Sequence, residues 1–414
     1  MKSAPLLTPR MHSGATAAQA ALGGAWRMKH LFIALICVLV VCLQAQASEK
    51  PSATLHLASE LANSSIQSQL DQVIREFAAN NATIPGVAVF VDQHRHHFTW
   101  AGAVGFADPQ NKTPLTAEHP IRIASVTKTF VAAAVLRLVE QRRMHLDRSV
   151  DHYLSTDSLT TLRKGNYRTA RMTVRHLLTH RAGLVDYYEN QTFMQLAAEN
   201  PQRRWTRAEQ LTYAVEAGQP LFAPGAGYHY SDTGYILLGE IMERRTGTSL
   251  GAALRQLIGY SRLNMHSTWH ESIEPEPRAL LPRAHQFEGK RDIYNIDPSI
   301  DLYGGGGLVS TVGDMARFMQ GLFGGKVFTR PETLEIMVSA PKGEKTSHYR
   351  MGIAVKEIAG IKVYLHNGYW GTSAAFAPSL NLAIGISVGQ HEAQTDPLLE
   401  SVIKVFQGGV NTRN

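Results

Sequence analysis

Three serines in this chain stand three residues ahead of a lysine: Ser125 with Lys128, Ser339 with Lys342, and Ser401 with Lys404. On a helix that spacing puts both side chains on nearly one face, about 4.5 Å apart along the axis. A serine so placed can act as a nucleophile if the amine takes its proton, which requires a lysine that is at least partly neutral. Context separates the three pairs. Ser125, in "IASVTKTF", precedes Phe130, Val131, Ala134, Val135 and Leu138, which repeat at helical spacing with no Gly or Pro before residue 145. The pattern predicts a helix with Ser125 in its first turn, where unpaired N–H groups and the positive end of the dipole favour a developing anion. Burial and that positive end would both lower the pKa of Lys128. Pro341 argues against a helix through Ser339, and Ser401 falls mid-helix with no later residues to complete a site. Both of these pairs read as structural.

A nucleophile and its base also need a proton relay and donors for an oxyanion. Tyr230 in "FAPGAGYHYSDTGYILLGE" is the candidate relay, because a Pro-Gly turn leads into it and an apolar helix follows from near Thr233. A second pattern, Tyr188 to Asn190, lacks that setting and ranks behind it. The third element is "HNG", His366 to Gly368, at the end of a strand. There Gly368 would leave room for a substrate backbone and His366 would aim a donor into the cleft. A lone histidine at a strand end is otherwise more often simple packing; the presence of Ser125 tips the reading.

The elements that must position these residues follow from periodicity. Ile66, Leu70, Val73, Ile74 and Phe77 form an amphipathic first helix ending near Asn80 and Asn81. "GVAVFVD" (86–92) and "HFTWAG" (97–102) make a hairpin with one fully buried strand. Four short runs, "YRMGIAVKEI", "IKVYLHNG", "TSAAFAP" and "LAIGISVG", make an antiparallel meander, and Leu398, Leu399, Val402, Ile403 and Phe406 a closing helix. Strands therefore cluster at both ends while the middle is helical. The simplest packing is an α+β domain over 65–410, with a sheet-and-helix part from about 65–130 and 290–410 and an inserted helical lobe over about 131–289.

In this order, Ser-Val-Thr-Lys, Tyr-Ser-Asp and His-Asn-Gly resemble the motifs of the penicillin-recognising serine hydrolases, a family that takes in class C β-lactamases, D-alanyl-D-alanine carboxypeptidases, D-aminopeptidases and related esterases. "LLTHRAGL" (177–184), "YSDTGYILLGE" and "GGGGLVST" (304–311) resemble further stretches of it, and the likeness spans about residues 60–410. The resemblance implies the β-lactamase/transpeptidase-like fold and acylation of Ser125, with general-base and general-acid work shared by Lys128 and Tyr230. It implies an oxyanion hole built from the backbone N–H groups of Ser125 and Tyr369, and substrate contacts from Asp232, His366, Asn367 and Gly368. Two positions depart from the pattern. Asp232 replaces the usual asparagine, and an ionised carboxylate can only accept, which favours an ester or amine-bearing substrate over an amide. His366 stands where class C β-lactamases usually carry lysine, which is closer to the carboxypeptidase, D-aminopeptidase and esterase branches. The expectation is an exported serine hydrolase acting through an acyl-enzyme on a small peptide, amide or ester. A class C-like β-lactamase is the alternative. A non-hydrolytic receptor for penicillins or peptidoglycan fragments is the alternative of another class, and Asp232 keeps it open.

With 414 residues, 44% apolar and 18% charged, the chain can bury a large core. Met28 to Ala47 has a basic start, an apolar run from Leu31 to Leu43 and small residues ahead of Ser48, the pattern of a secretory signal. The apolar run is short for a membrane span, so no stable span is expected after cleavage. Residues 1–27 resemble neither signal nor domain, translation is expected to start at Met28, and 48–64 reads as a polar linker. The protein is accordingly expected in the periplasm or outside the cell. Cys37 and Cys42 both lie in the signal, so the exported chain would hold no disulfide and no thiol ligand. The signal region also removes four basic and no acidic residues, which takes the formal charge from +7 to +3.

The remaining motifs are weaker. The basic stretch Arg163 to Arg175 reads as a solvated face rather than a surface for nucleic acid, having few aromatics and no recognised motif. "GTSAA" (371–375) lacks the final Gly of a nucleophile elbow, His176 and His180 lack the Glu of a zinc-protease helix, and Gly304 to Gly307 lacks a phosphate-loop ending. Thr311 with Asp314 reads as a helix cap. No metal or cofactor is expected; the partner is a small-molecule or peptide substrate, cell-wall derived or a β-lactam.

Overall fold

The computed structural model describes residues 60, 62–341 and 348–408. The readings of 1–27 as leader and 28–47 as signal, both cysteines, and Lys342 lie outside them. Val87, Val89 and Val91 turn to one face of a strand and Ala88 and Phe90 to the other, the period of two that pleated backbone imposes. This strand, β1 (Gly86–Gln93), follows helix α1 over residues 62–80. It is succeeded by β2 (Phe98–Asp108), β3 (Thr113–Pro114), β4 (Ile121–Arg122) and helix α2 (Thr127–Glu140). The helical middle holds α3 (Thr156–Lys164), α4 (Val174–Leu178), α5 (Gln191–Glu199), α6 (Arg207–Ala217), α7 (Asp232–Thr246) and α8 (Leu250–Ile258). Short strands β5 (Trp269–His270), β6 (Phe287–Glu288), β7 (Arg291–Asp292) and β8 (Leu308–Ser310) lead back through α9 (Val312–Phe323) and α10 (Pro331–Val338). The meander is β9 (Ala354–Ile358), β10 (Ile361–Gly368), β11 (Thr372–Ala377) and β12 (Leu382–Ser387), and α11 (Asp396–Gly408) follows.

Among the described residues the main sheet has seven antiparallel strands in the order β3-β2-β1-β12-β11-β10-β9, so the first hairpin and the last meander join side by side at β1 and β12. The two halves of the expected sheet thus meet, and the α+β class holds. One face is covered by α1 and α11 through Leu70, Ile74, Leu398, Val402, Ile403 and Phe406. The other packs on α9 and the α2 lobe through Ala88, Phe376, Met315 and Phe318. Each large aliphatic side chain so enclosed contributes roughly 1.5–3 kcal/mol. Helix α2 is enclosed nearly all round, which is why its sequence shows a broad apolar belt rather than a stripe.

The turn ahead of α2 is fixed from three sides. Arg122 is buried and donates to Glu271 and to the carbonyls of Ile293 and Ile296. Ile123 N–H donates to Leu308 O at the start of β8, and Thr372 Oγ1 of β11 donates to Ile123 O at 3.1 Å. No helix among the described residues is long and apolar enough to cross a membrane.

Candidate active site

Ser125 lies in a 3-10 turn, Ala124–Val126, immediately before α2 rather than inside its first turn. Ala124 there has φ 44°, a left-handed conformation that a side chain disfavours, held by the anchors on either side. The serine is partly exposed, while Lys128 one turn on has no exposed surface at all. Lys128 Nζ donates to Ser125 Oγ at 2.8 Å and to Gly305 O at 2.7 Å, and pairs with Asp232 Oδ1 at 2.6 Å. The structure corrects the expected direction of its titration. Burial pushes the amine down, but the charges of Asp232, Tyr230 and Asp301 outweigh burial and hold the ammonium above its ordinary range. Desolvation and the helix dipole act locally on Lys128, whereas the carboxylate arrives from α7, far along the chain.

The other two serine–lysine spacings are structural. Ser401 Oγ donates back to Pro397 O while Lys404 pairs with Glu400, and Ser339 Oγ donates to Glu335 O.

Tyr230 precedes α7 and stands beside Lys128, whose Nζ lies 5.0 Å from its ring centre. Desolvation raises the Tyr230 phenol above its ordinary range, against the neighbouring Lys128 charge, which pulls it down. Its rival Tyr188 is placed elsewhere, donating to Ile300 O at 2.9 Å. Asp232, read from the sequence as a substrate contact, is instead the first residue of α7. It is buried, faces Lys128, and is absent from the cleft wall. The backbone N–H of Asp232 donates to Asp186 Oδ2 at 2.7 Å, so a second carboxylate caps this helix. Burial and the charge of Asp232 push Asp186 up to about 7, and the same causes raise Asp301 well above the carboxylate range.

His366 on β10 is buried, and its Nδ1 faces Asn367 O at 2.9 Å. A carbonyl only accepts, so Nδ1 carries the proton and Nε2 accepts from Tyr349 Oη at 3.0 Å. Burial and then the Lys128 charge lower this histidine to about 3, which keeps it neutral. The donor it was expected to aim into the cleft is therefore spent on its own strand. At Gly368 a Cβ would strike the Ile123 carbonyl and Thr372, so the missing side chain admits the nucleophile's turn. Asn367 donates to Asp396 Oδ1 at 2.9 Å, and Asp396 also holds Lys356 of β9 at 2.6 Å.

Ser125, Tyr230, Tyr349, His366, Asn367 and Tyr369 line one cleft of about 270 Å³, together with Lys356. The three motifs thus converge, and the Tyr369 backbone lies beside the Ser125 turn. A larger cleft of about 580 Å³ beyond the end of α1 has Lys290 as its one ionisable lining residue.

Four residues around the site were not singled out from the sequence: Asp186, Asp301, Tyr349 and, rejected as a metal ligand, His180. His180 is core packing as expected, but its ring lies 4.2 Å from that of Tyr230 and its Nδ1 accepts from Ser231 N–H at 3.1 Å. None of these carries a local pattern; each matters through a contact made far along the chain. The glycine run does form a turn at the site, with φ 125° at Gly304 and Gly305 O accepting a hydrogen bond from Lys128 Nζ. Thr311 Oγ1 accepts from Asp314 N–H at 3.1 Å and caps α9, and Ser373 is a buried residue of β11.

A family model described as beta-lactamase matches residues 70–401. The chain belongs to that family, and with it to the serine hydrolases of the β-lactamase fold. Among curated proteins it is 30% identical over 306 residues to the esterase EstB of Burkholderia gladioli, covering 67% of this chain and 75% of the relative. It is 25% identical over 282 residues to a D-aminopeptidase of Brucella anthropi, covering 64% of this chain but only 48% of the relative. A D-amino acid amidase from Ochrobactrum anthropi SV3 superposes with a TM-score of 0.71 at 24% identity over 84% of this chain and 99% of the amidase, a likeness of fold.

Proposed function

We propose that this protein is an esterase that hydrolyses small, uncharged carboxylic esters through an acyl-enzyme on Ser125. The observation that carries the reading is a partly exposed serine oxygen at 2.8 Å from a buried lysine amine, open to a cleft that a tyrosine also faces. Lys128 and Tyr230 handle the proton traffic, and the backbone N–H groups of Ser125 and Tyr369 receive the oxyanion. Preference for an uncharged ester follows from the cleft's charges. His366 is neutral and Lys356, the one lysine or arginine among the described residues lining the cleft, is paired with Asp396, while Lys128 behind the wall is paired with Asp232. This separates the site from one built for penicillins or for C-terminal carboxylates. The family membership and the likeness to an esterase at 30% identity support the same class. The signal-like pattern of residues 28–47 supports action after export.

The test is a pre-steady-state assay with p-nitrophenyl acetate, followed by intact-mass spectrometry. The wild type is expected to release a burst of nitrophenol and gain one acetyl group; Ser125→Ala should do neither, with turnover down by about 10⁴-fold or more. Unchanged turnover in Ser125→Ala would overturn the assignment of the nucleophile. A stable benzylpenicillin adduct forming faster than the acetyl-enzyme would overturn the preference for uncharged esters.

A further inference from the structure

Strand β4 stands at the edge of its three-stranded sheet, so the outward N–H and C=O of Arg122 have no strand to pair with. The side chain of Gln286 takes that place. It is buried, its Oε1 accepts from Arg122 N–H at 2.9 Å, and its Nε2 donates to Arg122 O at 3.0 Å and to Trp370 O at 3.2 Å. The reciprocal bonds with Arg122 fix which way the amide faces, because turning it over would set N–H against N–H and oxygen against oxygen. One side chain thus joins the strand that leads into Ser125 to the turn that carries Tyr369.

That turn, residues 368–371, closes with Gly371 N–H donating to Gly368 O. Its other carbonyls are held as well: Tyr369 O by His391 Nδ1–H at 2.8 Å, Trp370 O by Gln286, and Gly371 O by Val388 N–H. Among the described residues nothing accepts from the Tyr369 N–H, which is left for a substrate oxygen. The segment around Gln286 is itself pinned on both flanks. Ala284 N–H donates to Pro120 O and His285 N–H to Ala107 O, while Phe287 N–H donates to Gly389 O and Phe287 O accepts from His391 N–H. Next along, Glu288 Oε1 accepts from Tyr369 Oη at 2.6 Å.

We infer that Gln286 is a positioning residue of the oxyanion hole: its amide sets the spacing between the Ser125 turn and the Tyr369 turn, with Glu288 as a second tie on Tyr369. This rests on the esterase reading given above, which puts the two donors on the Ser125 and Tyr369 N–H groups. Those donors come from segments far apart in the chain, so only tertiary contacts can aim both at one oxygen as its charge grows. A shift of about 1 Å between them costs on the order of 10²-fold in rate. Gln286 touches no substrate and acts through the backbone of Arg122 and Trp370. What it supports is the tetrahedral intermediate rather than the bound ester, so its loss should fall on kcat and spare KM.

The experiment compares the wild type with Gln286→Met, which keeps the reach of the side chain but removes its hydrogen bonds, and with Gln286→Glu, whose carboxylate still accepts from Arg122 N–H but cannot donate. Each is assayed for kcat and KM on p-nitrophenyl acetate and for inhibition by two ketones of similar shape, octan-2-one and 1,1,1-trifluorooctan-2-one. Only the second is electrophilic enough for Ser125 to hold it as a tetrahedral adduct with its oxygen in the hole. Gln286→Met should lose kcat by about 10²-fold with KM within about twofold, and the trifluoro ketone should weaken by about the same 10²-fold while octan-2-one stays within about twofold. Gln286→Glu should show the same split. Values of kcat and trifluoro-ketone inhibition within about threefold of the wild type would overturn the inference. So would an equal weakening of both ketones, the mark of a cleft that has merely collapsed. If neither Gln286 variant folds, Glu288→Ala at the partly exposed end of the segment decides: a several-fold loss confined to kcat and the trifluoro ketone supports the inference, and wild-type values for both overturn it. Failure of the esterase reading is separate, because it appears as a wild type that turns over no ester, and the ratio of the two ketones across the variants still tests Gln286.

Discussion

Gly368→Ala is the perturbation whose outcome the structure fixes most narrowly. The Cβ it adds would meet the carbonyl carbon of Ile123 at 3.1 Å, with the carbonyl oxygen and Thr372 Oγ1 closer still. Ordinary carbon contacts need 3.5 Å or more, so the end of β10 and the nucleophile turn must part by roughly 1 Å. Neither can give way cheaply, because Ile123 is bonded to both Leu308 and Thr372 and Arg122 before it is buried in its carboxylate and carbonyl cage. Overpacking of this kind costs about 1–3 kcal/mol of stability. The larger effect falls on catalysis. Gly368 carries the Tyr369 N–H, and a misplacement of about 1 Å between oxyanion donor and nucleophile costs on the order of 10²-fold. The assay is kcat/KM on p-nitrophenyl acetate beside a thermal melt. A variant within twofold of wild-type activity and with an unchanged melting temperature would refute this account of the glycine. Pairing the change with Thr372→Ala should not restore the rate, because the main obstacle is backbone.

Two further outcomes follow from the charges. His270 and His366 are buried and held neutral, with folded-state values of about 4 and about 3 against ordinary values near 6.5. Their contribution to stability is complete above about pH 6.5 and is lost as the pH falls through the window below it, at about 1.4 kcal/mol per pH unit for each. Asp186, raised to about 7, and Asp301, raised well above the carboxylate range, work against this, since the folded protein binds their protons before the unfolded chain does, while His180, held well below its ordinary range, adds to it. The wild type and His270→Asn are therefore compared: the melting temperature of His270→Asn should fall less than that of the wild type between about pH 6.5 and 4, and identical pH slopes in the two would contradict the burial of this ring as a neutral group. Asp396→Ala removes the partner of both Lys356 and Asn367 at the cleft wall. It should raise kcat/KM for an anionic ester such as p-nitrophenyl hemisuccinate several-fold relative to p-nitrophenyl acetate, and an unchanged ratio would remove Lys356 from the account of specificity.

What the sequence determined by itself is local. Short continuous apolar runs mark β1 and β12, periodicity of helical type marks α1, α2 and α11, and a serine before a long apolar helix stands apart from two serines that are not so placed. These signals are legible because each arises from residues a few positions apart that share one face. The ordered trio of motifs likewise pointed to the family. Charge state was not legible. Whether Lys128 is neutral or charged depends on Asp232, Tyr230 and Asp301, brought to it from α7, from the turn ahead of α7 and from the turn at 298–301. The role of Gly368 depends on a carbonyl at Ile123, and that of His366 on Tyr349. Electrostatic energy in a buried site is set by distance and desolvation rather than by residue order, so only the tertiary structure could bring the Asp232 carboxylate against Lys128 and hold its amine above its ordinary range.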